Sequence, residues 1–174
     1  GFAMIAGEIT TSCYVDMPQV VRDTIKDIGY DSSDMGFDWQ TCSVFTSIDK
    51  QSPDIAMGVN TDVDKSKEQG AGDQGLMFGY ACTETPELMP APIHYAHLLS
   101  RKLTNVRKSK KLEFLRPDGK SQVSVKYMDG KPVEITTVVI SAQHTPEVSH
   151  DKIYEGILEE VIKKTIPQNL VTSN

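Results

Sequence analysis

The 174-residue sequence lacks the features that would assign it to a membrane or secreted class of protein. No run approaches the roughly 18 apolar residues that a spanning helix requires, and no charged stretch followed by an apolar one opens the chain as a signal peptide would. Cysteine is scarce, because only Cys13, Cys42 and Cys82 occur and they are widely spaced. An odd, scattered set favours reduced thiols over a disulfide framework or a metal site. We therefore expect a cytoplasmic globular protein with no membrane partner.

Aromatic side chains and positive charge are also too scarce for a nucleic-acid-binding protein. Aromatics make up 7% of the chain with a single tryptophan, so no platform for stacking bases is expected. The net charge is −6, whereas nucleic-acid binders are usually basic. Basic residues are concentrated between positions 101 and 111. A solvated helix face is the ordinary interpretation of such a cluster, with phosphate binding as the alternative.

Both ends of the sequence look internal to a longer polypeptide. The chain begins with Gly1 rather than methionine, inside a predicted strand, and stops at Asn174 just after a predicted helix. We expect missing neighbouring segments on both sides.

The first part of the chain predicts a strand, a helix and a second strand. Residues 2–15 are apolar and β-branched, and the segment from Thr41 to Ile48 is short, β-branched and aromatic. Between them, apolar residues recur at helical spacing after Asp16, which we expect to cap the helix, and before Gly29, which we expect to end it.

The second part predicts an α+β fold. A helix is expected from Pro90 to about Lys108, followed by an alternating strand at 122–127. Asp129-Gly130 predicts a tight hairpin turn into a return strand, and Ser149 is placed to cap a last helix. Repeated strand and helix units of this kind indicate mainly antiparallel sheets with helices on one face. Between the two parts, residues 51–72 are polar and aperiodic, and we interpret them as a functional loop rather than a disordered one.

Three patterns are candidates for chemistry. Glycines in Gly70-Ala71-Gly72-Asp73-Gln74-Gly75 let backbone approach a ligand, and a helical turn expected after them would offer N–H groups to an anion. The Asp73 carboxylate suits an ammonium or sulfonium ligand better than a phosphate. A glycine turn with a purely structural role is an equally good interpretation of this run. Glu8 is a charged residue in an apolar strand, where facing water is the simplest interpretation. The third pattern is Arg116-Pro117-Asp118-Gly119-Lys120, for which a tight turn is the simplest interpretation. The alternative is a binding segment in which the Asp118 carboxylate suits ribose and the Lys120 ammonium suits phosphate.

His94 and His97 stand three residues apart on the predicted helix. This is the spacing of a possible ligand pair, but no cysteine or aspartate lies nearby, so packing or surface roles are favoured.

Several segments together resemble one enzyme family along essentially the whole chain: Gly7–Ser12, Asp34–Asp38, Gln51–Ile55, Gly70–Tyr80, Leu88–Ile93, Leu115–Val123 and Val139–His144. The sequence is similar to the S-adenosylmethionine synthetases, or methionine adenosyltransferases. The run from Gly70 to Tyr80 is a hallmark of that family. Within the loop, residues 56–60 depart from the commoner family pattern.

The resemblance implies a role for each matching position. Glu8, Gln51 and Asp73 are expected to contact methionine, with Gln51 at the root of a mobile loop over the active site. Asp118, Gly119 and Lys120 are expected to contact ATP. Lys120 is expected to reach the polyphosphate and to be the catalytic cation of this chain.

The resemblance also implies the organisation and chemistry of the whole protein. Residues 1–50 correspond to the remainder of an N-terminal domain, 51–69 to the mobile loop and 70–174 to the central domain, without a C-terminal domain. The family joins L-methionine to ATP, so that the sulfur attacks C5′ and expels tripolyphosphate, which is then hydrolysed to pyrophosphate and phosphate. Mg²⁺ and K⁺ are implied cofactors, bound mostly by segments outside this chain.

Two further expectations concern activity and assembly. Family members are homodimers or homotetramers with active sites shared between subunits. An upstream Gly-His-Pro-Asp-Lys motif and later glycine-rich segments of the family are absent from this sequence, so we expect the chain alone to be inactive. The alternative is a non-catalytic fragment or an interaction module of the same family.

Overall fold

The computed structural model describes residues 1–60, 68–73 and 75–171. The chain divides into two compact units, Gly1–Gly79 and Tyr80–Asn174, each with its own helices and strands. The predicted α+β class is confirmed.

In the first unit, strand β1 (Phe2–Glu8), helix α1 (Met17–Ile28) and strand β2 (Ser43–Asp49) follow one another. The two strands pair in parallel, from Phe2 opposite Ser43 to Glu8 opposite Asp49. A helix between two strands carries the chain back to the starting edge, which is why this pair is parallel although mainly antiparallel pairing was predicted. β1 is also shorter than the predicted segment 2–15, because regular pairing ends at Glu8.

Helix α1 has the predicted boundaries. The Asp16 carboxylate accepts a hydrogen bond from the Gln19 N–H at 3.0 Å. Gly29 adopts the left-handed conformation (φ 109°) and its N–H donates to the carbonyls of Ile25 and Lys26. Both caps satisfy backbone groups that a helix end would otherwise leave open.

The loop that leads into β2 is held by two buried or half-buried polar side chains. The Arg22 guanidinium of α1 donates to the carbonyls of Trp39, Gln40 and Cys42 at 2.6, 2.9 and 3.0 Å. Asp38, only 5% exposed, accepts from the backbone N–H groups of Gln40 and Thr41 and from the Thr41 hydroxyl. The Thr41 hydroxyl is the main cause of the lowered pKa of Asp38.

The segment predicted as a loop contains a helix. α2 (Pro53–Val59) begins with proline at its first turn, a position where the missing N–H costs nothing. The expectation that residues 51–60 would lack regular structure was therefore wrong, because a helix of under two turns is too short to show a period. Residues 61–67 of the predicted mobile loop lie outside the described residues.

The second unit is a long antiparallel hairpin with helices packed on it. Its elements are α3 (Ala91–Lys108), β3 (Leu115–Met128), β4 (Lys131–His144), α4 (His150–Ile157) and a π-helical turn (Leu158–Ile162). The predicted Asp129-Gly130 turn joins β3 to β4 with both residues at positive φ, 49° and 73°. Ser149 caps α4 as predicted, accepting from the Lys152 N–H.

The core of this unit lies between the helices and one face of the hairpin. Its buried residues come from α3, the segment after it, both strands and the C-terminal helical turns: Leu99, Leu103, Val106, Leu112, Phe114, Leu115, Val123, Ile135, Ile157, Val161 and Ile166. The helices thus share one sheet face, and residues 80–171 leave the opposite face open.

Among the described residues, no helix combines the length and the apolar character needed to cross a bilayer. The three cysteines are free.

Candidate functional site

In the first unit, two of the predicted methionine-binding residues lie at the carboxyl ends of the parallel strands. Glu8 ends β1 and is paired in register with Asp49, which ends β2. The Ile9 N–H donates to the Asp49 carbonyl at 2.9 Å and extends the pairing by one bond. Gln51 follows two residues later. Parallel strands end at the same edge, so Glu8 and Gln51 share it.

Asp73 is brought toward this edge by its neighbour Gly72. A Cβ built on Gly72 would lie 2.6 Å from the Gln51 amide nitrogen and 3.4 Å from a Val59 methyl of α2. The Gly70 N–H also donates to the Val59 carbonyl at 2.9 Å. Any larger residue at position 72 would displace the Gln51 amide, so glycine permits the close approach. The predicted set of Glu8, Gln51 and Asp73 therefore belongs to one end of this unit.

The electrostatics of this end favour a cation. Glu8, Asp49 and Asp73 place three exposed carboxylates there against the exposed ammonium of Lys50, and Gln51 adds a half-buried amide. Carboxylates beside an amide that can both donate and accept suit an amino-acid ammonium or a sulfonium better than a phosphate.

The helical turn expected after the glycine run was wrong. Residues 75–82 contain no helix, and Leu76, Met77 and Phe78 are 86%, 90% and 96% exposed. A short helix gains most of its stability from packing an apolar face, and these side chains pack on nothing in the described part of the unit. The anion site proposed for that turn is thus withdrawn.

In the second unit, the predicted ATP segment is part of strand β3. Leu115 pairs with His144 and Gly119 with Ala142, so three residues of β3 stand opposite one of β4. This bulge holds Arg116, Pro117 and Asp118. The tight-turn interpretation was wrong, because the segment continues the strand, and proline is tolerated at a bulge where no ladder hydrogen bond is lost.

Gly119 fixes which way its neighbours face. A Cβ on Gly119 would lie 2.7 Å from a Leu103 methyl of α3, so Gly119 lies directly under the helix. Ser121, two residues on, donates to the Ala96 carbonyl of α3 at 2.7 Å. Because successive residues of a strand alternate between faces, Lys120 lies on the open face, away from α3. Its side chain is exposed.

The open face around Lys120 is polar. The register places Ser141 opposite Lys120, Val139 opposite Gln122 and Thr137 opposite Ser124. All but the half-buried Ser124 are exposed. From Gly119 to Ser124 the face carries no carboxylate, whereas Asp118 lies exposed in the bulge just before it.

A further polar cluster joins the start of α3 to the tip of the hairpin. The Glu84 carboxylate accepts from the Ala91 N–H at 2.9 Å and from the Tyr127 hydroxyl. The Ala91 N–H is the main cause of the lowered pKa of Glu84. Burial and then the Glu84 hydrogen bond raise the pKa of Tyr127 to about 12. The sequence does not reveal this cluster, because 43 residues separate its two side chains.

The remaining candidates are not brought to either site. His94 lies 3.5 Å from the Glu87 carboxylate, and His97 is exposed. Among the basic residues between 101 and 111, Lys111 pairs with Glu160 at 2.5 Å, and Arg101 and Lys102 line a cleft together with Lys164.

Residues 1–60, 68–73 and 75–171 contain no group of three or more histidine, cysteine, aspartate or glutamate side chains that would hold a metal ion. This part of the chain by itself does not fit a magnesium site.

Comparison with known proteins also divides the chain into two parts, although residues 68–79 of the first compact unit fall within the second match. Residues 1–53 match the N-terminal domain of S-adenosylmethionine synthetase, and residues 68–174 match the central domain. The fold is therefore that of two domains of one enzyme class. The chain belongs to the S-adenosylmethionine synthetase family.

Curated relatives support the same assignment. S-adenosylmethionine synthase of Desulfosudis oleivorans is 65% identical over 171 residues, and that of Syntrophobacter fumaroxidans 63% over 171 residues, each alignment covering 98% of this chain. The Nitratidesulfovibrio vulgaris enzyme is 62% identical over all 174 residues. In each case the alignment covers 44% of the relative, so the chain spans under half the length of these enzymes.

Proposed function

We propose that the protein to which this chain belongs is an S-adenosylmethionine synthetase, and that the chain supplies residues for both substrates. Glu8, Gln51 and Asp73 bind L-methionine, and Asp118, Gly119 and Lys120 bind ATP. The observation that carries the proposal is the close approach of Gly72 to Gln51 beside the end of β1. This arrangement gathers carboxylates and an amide in the way an amino-acid ammonium requires.

The reaction needs alignment rather than a general base. The methionine sulfur carries a lone pair, forms the bond to C5′ of ATP, and the C5′–O electron pair leaves with tripolyphosphate. Holding sulfur and carbon in line supplies roughly 7–11 kcal/mol. Because the product is a sulfonium, Glu8 and Asp73 stabilise the charge that develops at sulfur. Water then cleaves tripolyphosphate to pyrophosphate and phosphate.

Lys120 supports the other end of the displacement. As the leaving oxygen gains charge, a fixed ammonium beside the polyphosphate stabilises the transition state more than the ground state. The open face near Lys120 carries no carboxylate between Gly119 and Ser124 to compete for it. Magnesium and potassium are cofactors of the proposed enzyme, bound mostly by segments outside this chain.

The test is ATP-dependent formation of S-adenosylmethionine. The protein made from the complete reading frame should convert methionine and ATP to S-adenosylmethionine, pyrophosphate and phosphate in equal amounts. The 174-residue chain, assayed beside it, should be inactive. Absence of product from the complete protein, with both substrates and magnesium present, would contradict the proposal.

A non-catalytic interaction module is the second candidate. It is favoured by one observation: Phe2 and Phe45, 66% and 54% exposed, form an edge-to-face pair on the outer face of the β1–β2 sheet. Binding of a partner without any product would support this function instead. In the first candidate, the same face contributes to a homodimer or homotetramer of the cytoplasmic enzyme.

A further inference from the structure

Resting on the proposed function, we infer that Ser141 and Gln122 bind the polyphosphate of ATP together with Lys120. Neither residue belongs to the segment that the sequence pattern assigned to ATP. The hydroxyl of Ser141 and the side-chain amide of Gln122 donate hydrogen bonds to phosphate oxygens, and the Lys120 ammonium neutralises their charge.

The strand register of the hairpin places Ser141 beside Lys120. Ser141 stands directly opposite Lys120 on β4. Directly opposed residues of an antiparallel pair share a face, with Cβ atoms about 4.5–5.5 Å apart. Gln122 lies two residues along β3 from Lys120, about 7 Å away on the same face. The three side chains therefore form one compact group.

The packing of α3 against β3 determines on which face of the hairpin each side chain lies. Gly119 lies against Leu103, and Ser121 is bonded both to the Ala96 carbonyl and to Ser100. Because neighbours in a strand alternate between faces, Lys120 and Gln122, on either side of Ser121, lie on the opposite face, and so does Ser141 across from Lys120. The side chains of Ser141 and Gln122 are exposed there and make no hydrogen bond to another described residue. Their donors are thus available to a ligand.

The chemistry of polyphosphate explains why neutral hydrogen-bond donors are needed beside Lys120. A polyphosphate is a row of charged groups, and a single ammonium cannot bond all of its oxygens. Neutral donors beside the cation make charge-assisted hydrogen bonds, which are about twice as strong as bonds between neutral groups. Because the donors lie on a hairpin that packs against a helix, they reorganise little when the ligand binds.

The experiment uses two substitutions of one residue that differ only in the hydroxyl. In the protein made from the complete reading frame, Ser141→Thr keeps the donor and Ser141→Val removes it, while both are β-branched residues that suit a strand. Binding of tripolyphosphate is measured by calorimetry in magnesium-free buffer with a chelator, so that hydrolysis of the ligand does not add heat. We expect Ser141→Val to weaken binding about tenfold relative to Ser141→Thr, the loss of one hydrogen bond to a charged group.

A hydroxyl residue on the same face but far from Lys120 provides the control. Thr137→Val removes a hydroxyl from the same open face, but Thr137 stands opposite Ser124, four residues along β3 from Lys120. It should leave the affinity for tripolyphosphate within about twofold, because it lies about 13 Å further along the strand. Gln122→Met, which preserves length without the amide, should weaken binding between these extremes.

The possible outcomes separate the two claims. Equal tripolyphosphate affinity of the Ser141→Thr and Ser141→Val proteins, with S-adenosylmethionine still formed, overturns this inference and leaves the proposed function intact. Equal losses at positions 141 and 137 also overturn it, since the effect would then not depend on distance from Lys120. An unsubstituted protein that neither binds tripolyphosphate nor forms product overturns both.

Discussion

At the scale of the residue, Lys120, the cation proposed to bind polyphosphate, has a clearly defined position in the fold. Its neighbours Gly119 and Ser121 are held against α3, and Lys120 itself is left exposed on the polar face of the hairpin. The lysine contributes nothing to the core of the unit. We therefore expect its removal to leave the free energy of unfolding nearly unchanged, so that an effect on binding or catalysis can be measured separately.

We expect Lys120→Ala in the complete protein to lower turnover about 10²–10³-fold, the effect of losing one preorganised charge at the leaving group. Initial rates of S-adenosylmethionine formation at saturating ATP measure this. Lys126→Ala is the matched control, because Lys126 is also an exposed β3 lysine, paired 3.4 Å from Glu134. Turnover unchanged by Lys120→Ala, or equal losses in both variants, would rule out the role assigned to Lys120.

At the scale of the element, the contact between α3 and β3 decides how the ATP segment is presented. Gly119 has no room for a side chain because Leu103, 8% exposed, occupies the space. Overpacking a core contact usually costs a few kcal/mol. The glycine is thus required by the neighbouring helix rather than by a backbone conformation.

Gly119→Ala should destabilise the second unit by about 1–3 kcal/mol. Leu103→Val in the same protein shortens the opposing side chain, so the double substitution should cost about 0.5–3 kcal/mol less than the sum of the two single ones. Urea unfolding gives the three values. The pair Leu103→Val and Ser124→Ala, which do not face each other, should be additive. Additivity of the Gly119 pair would contradict the packing argument.

The Glu84–Tyr127 hydrogen bond links two elements and makes stability depend on pH. Tyr127 has a pKa near 12 in the folded chain, above the ordinary value of 10. The neutral hydroxyl is favoured by folding, so its contribution is complete below pH 10 and is lost as the pH rises toward 12. Glu84 has the opposite sign: its lowered pKa gives a contribution present above pH 4.5 and lost as the pH falls through the lowered pKa.

Tyr127→Phe should therefore remove part of the loss of stability between pH 10 and pH 12. The free energy of unfolding in urea, measured at pH 8, 10 and 11, is compared with that of Tyr154→Phe. Tyr154 is 62% exposed, and its substitution should leave the alkaline decline unchanged. Parallel pH profiles for the unsubstituted and Tyr127→Phe proteins would contradict the assignment.

At the scale of the whole molecule, the two units differ in how much apolar surface they bury. The continuous core belongs to the second unit, where Leu99 and Val161 are fully buried. In the described part of the first unit, the buried apolar side chains are Ile25 and Cys42. Since burial of apolar surface is the main favourable term in folding, we expect the second unit to be the more stable of the two.

Residues 80–174, expressed alone, should show a single cooperative urea transition. Leu99→Ala, which empties a fully buried site, should lower its free energy of unfolding by about 2–5 kcal/mol. Residues 1–79 under the same conditions should unfold gradually. A gradual transition for residues 80–174 would mean that the core is insufficient without other segments.

Much of the fold followed from local physics that the sequence displays. Asp16 and Gly29 predicted both ends of α1, Asp129-Gly130 predicted the hairpin, and Ser149 predicted the start of α4, because caps and turns depend on a few adjacent residues. The helix at Pro53–Val59 and the bulge at Arg116–Asp118 were mispredicted. A helix under two turns shows no period, and a bulge depends on the partner strand.

The sequence by itself determined the family, the α+β class and the residues proposed to bind methionine and ATP, since motifs and local periodicity are enough to recognise them. Only the tertiary structure decided the parallel pairing of β1 with β2, the approach of Gly72 to Gln51, and the open face shared by Lys120, Ser141 and Gln122. Each of these depends on residues far apart in the chain meeting in space, and strand pairing and helix packing, not local propensity, select which side chains meet.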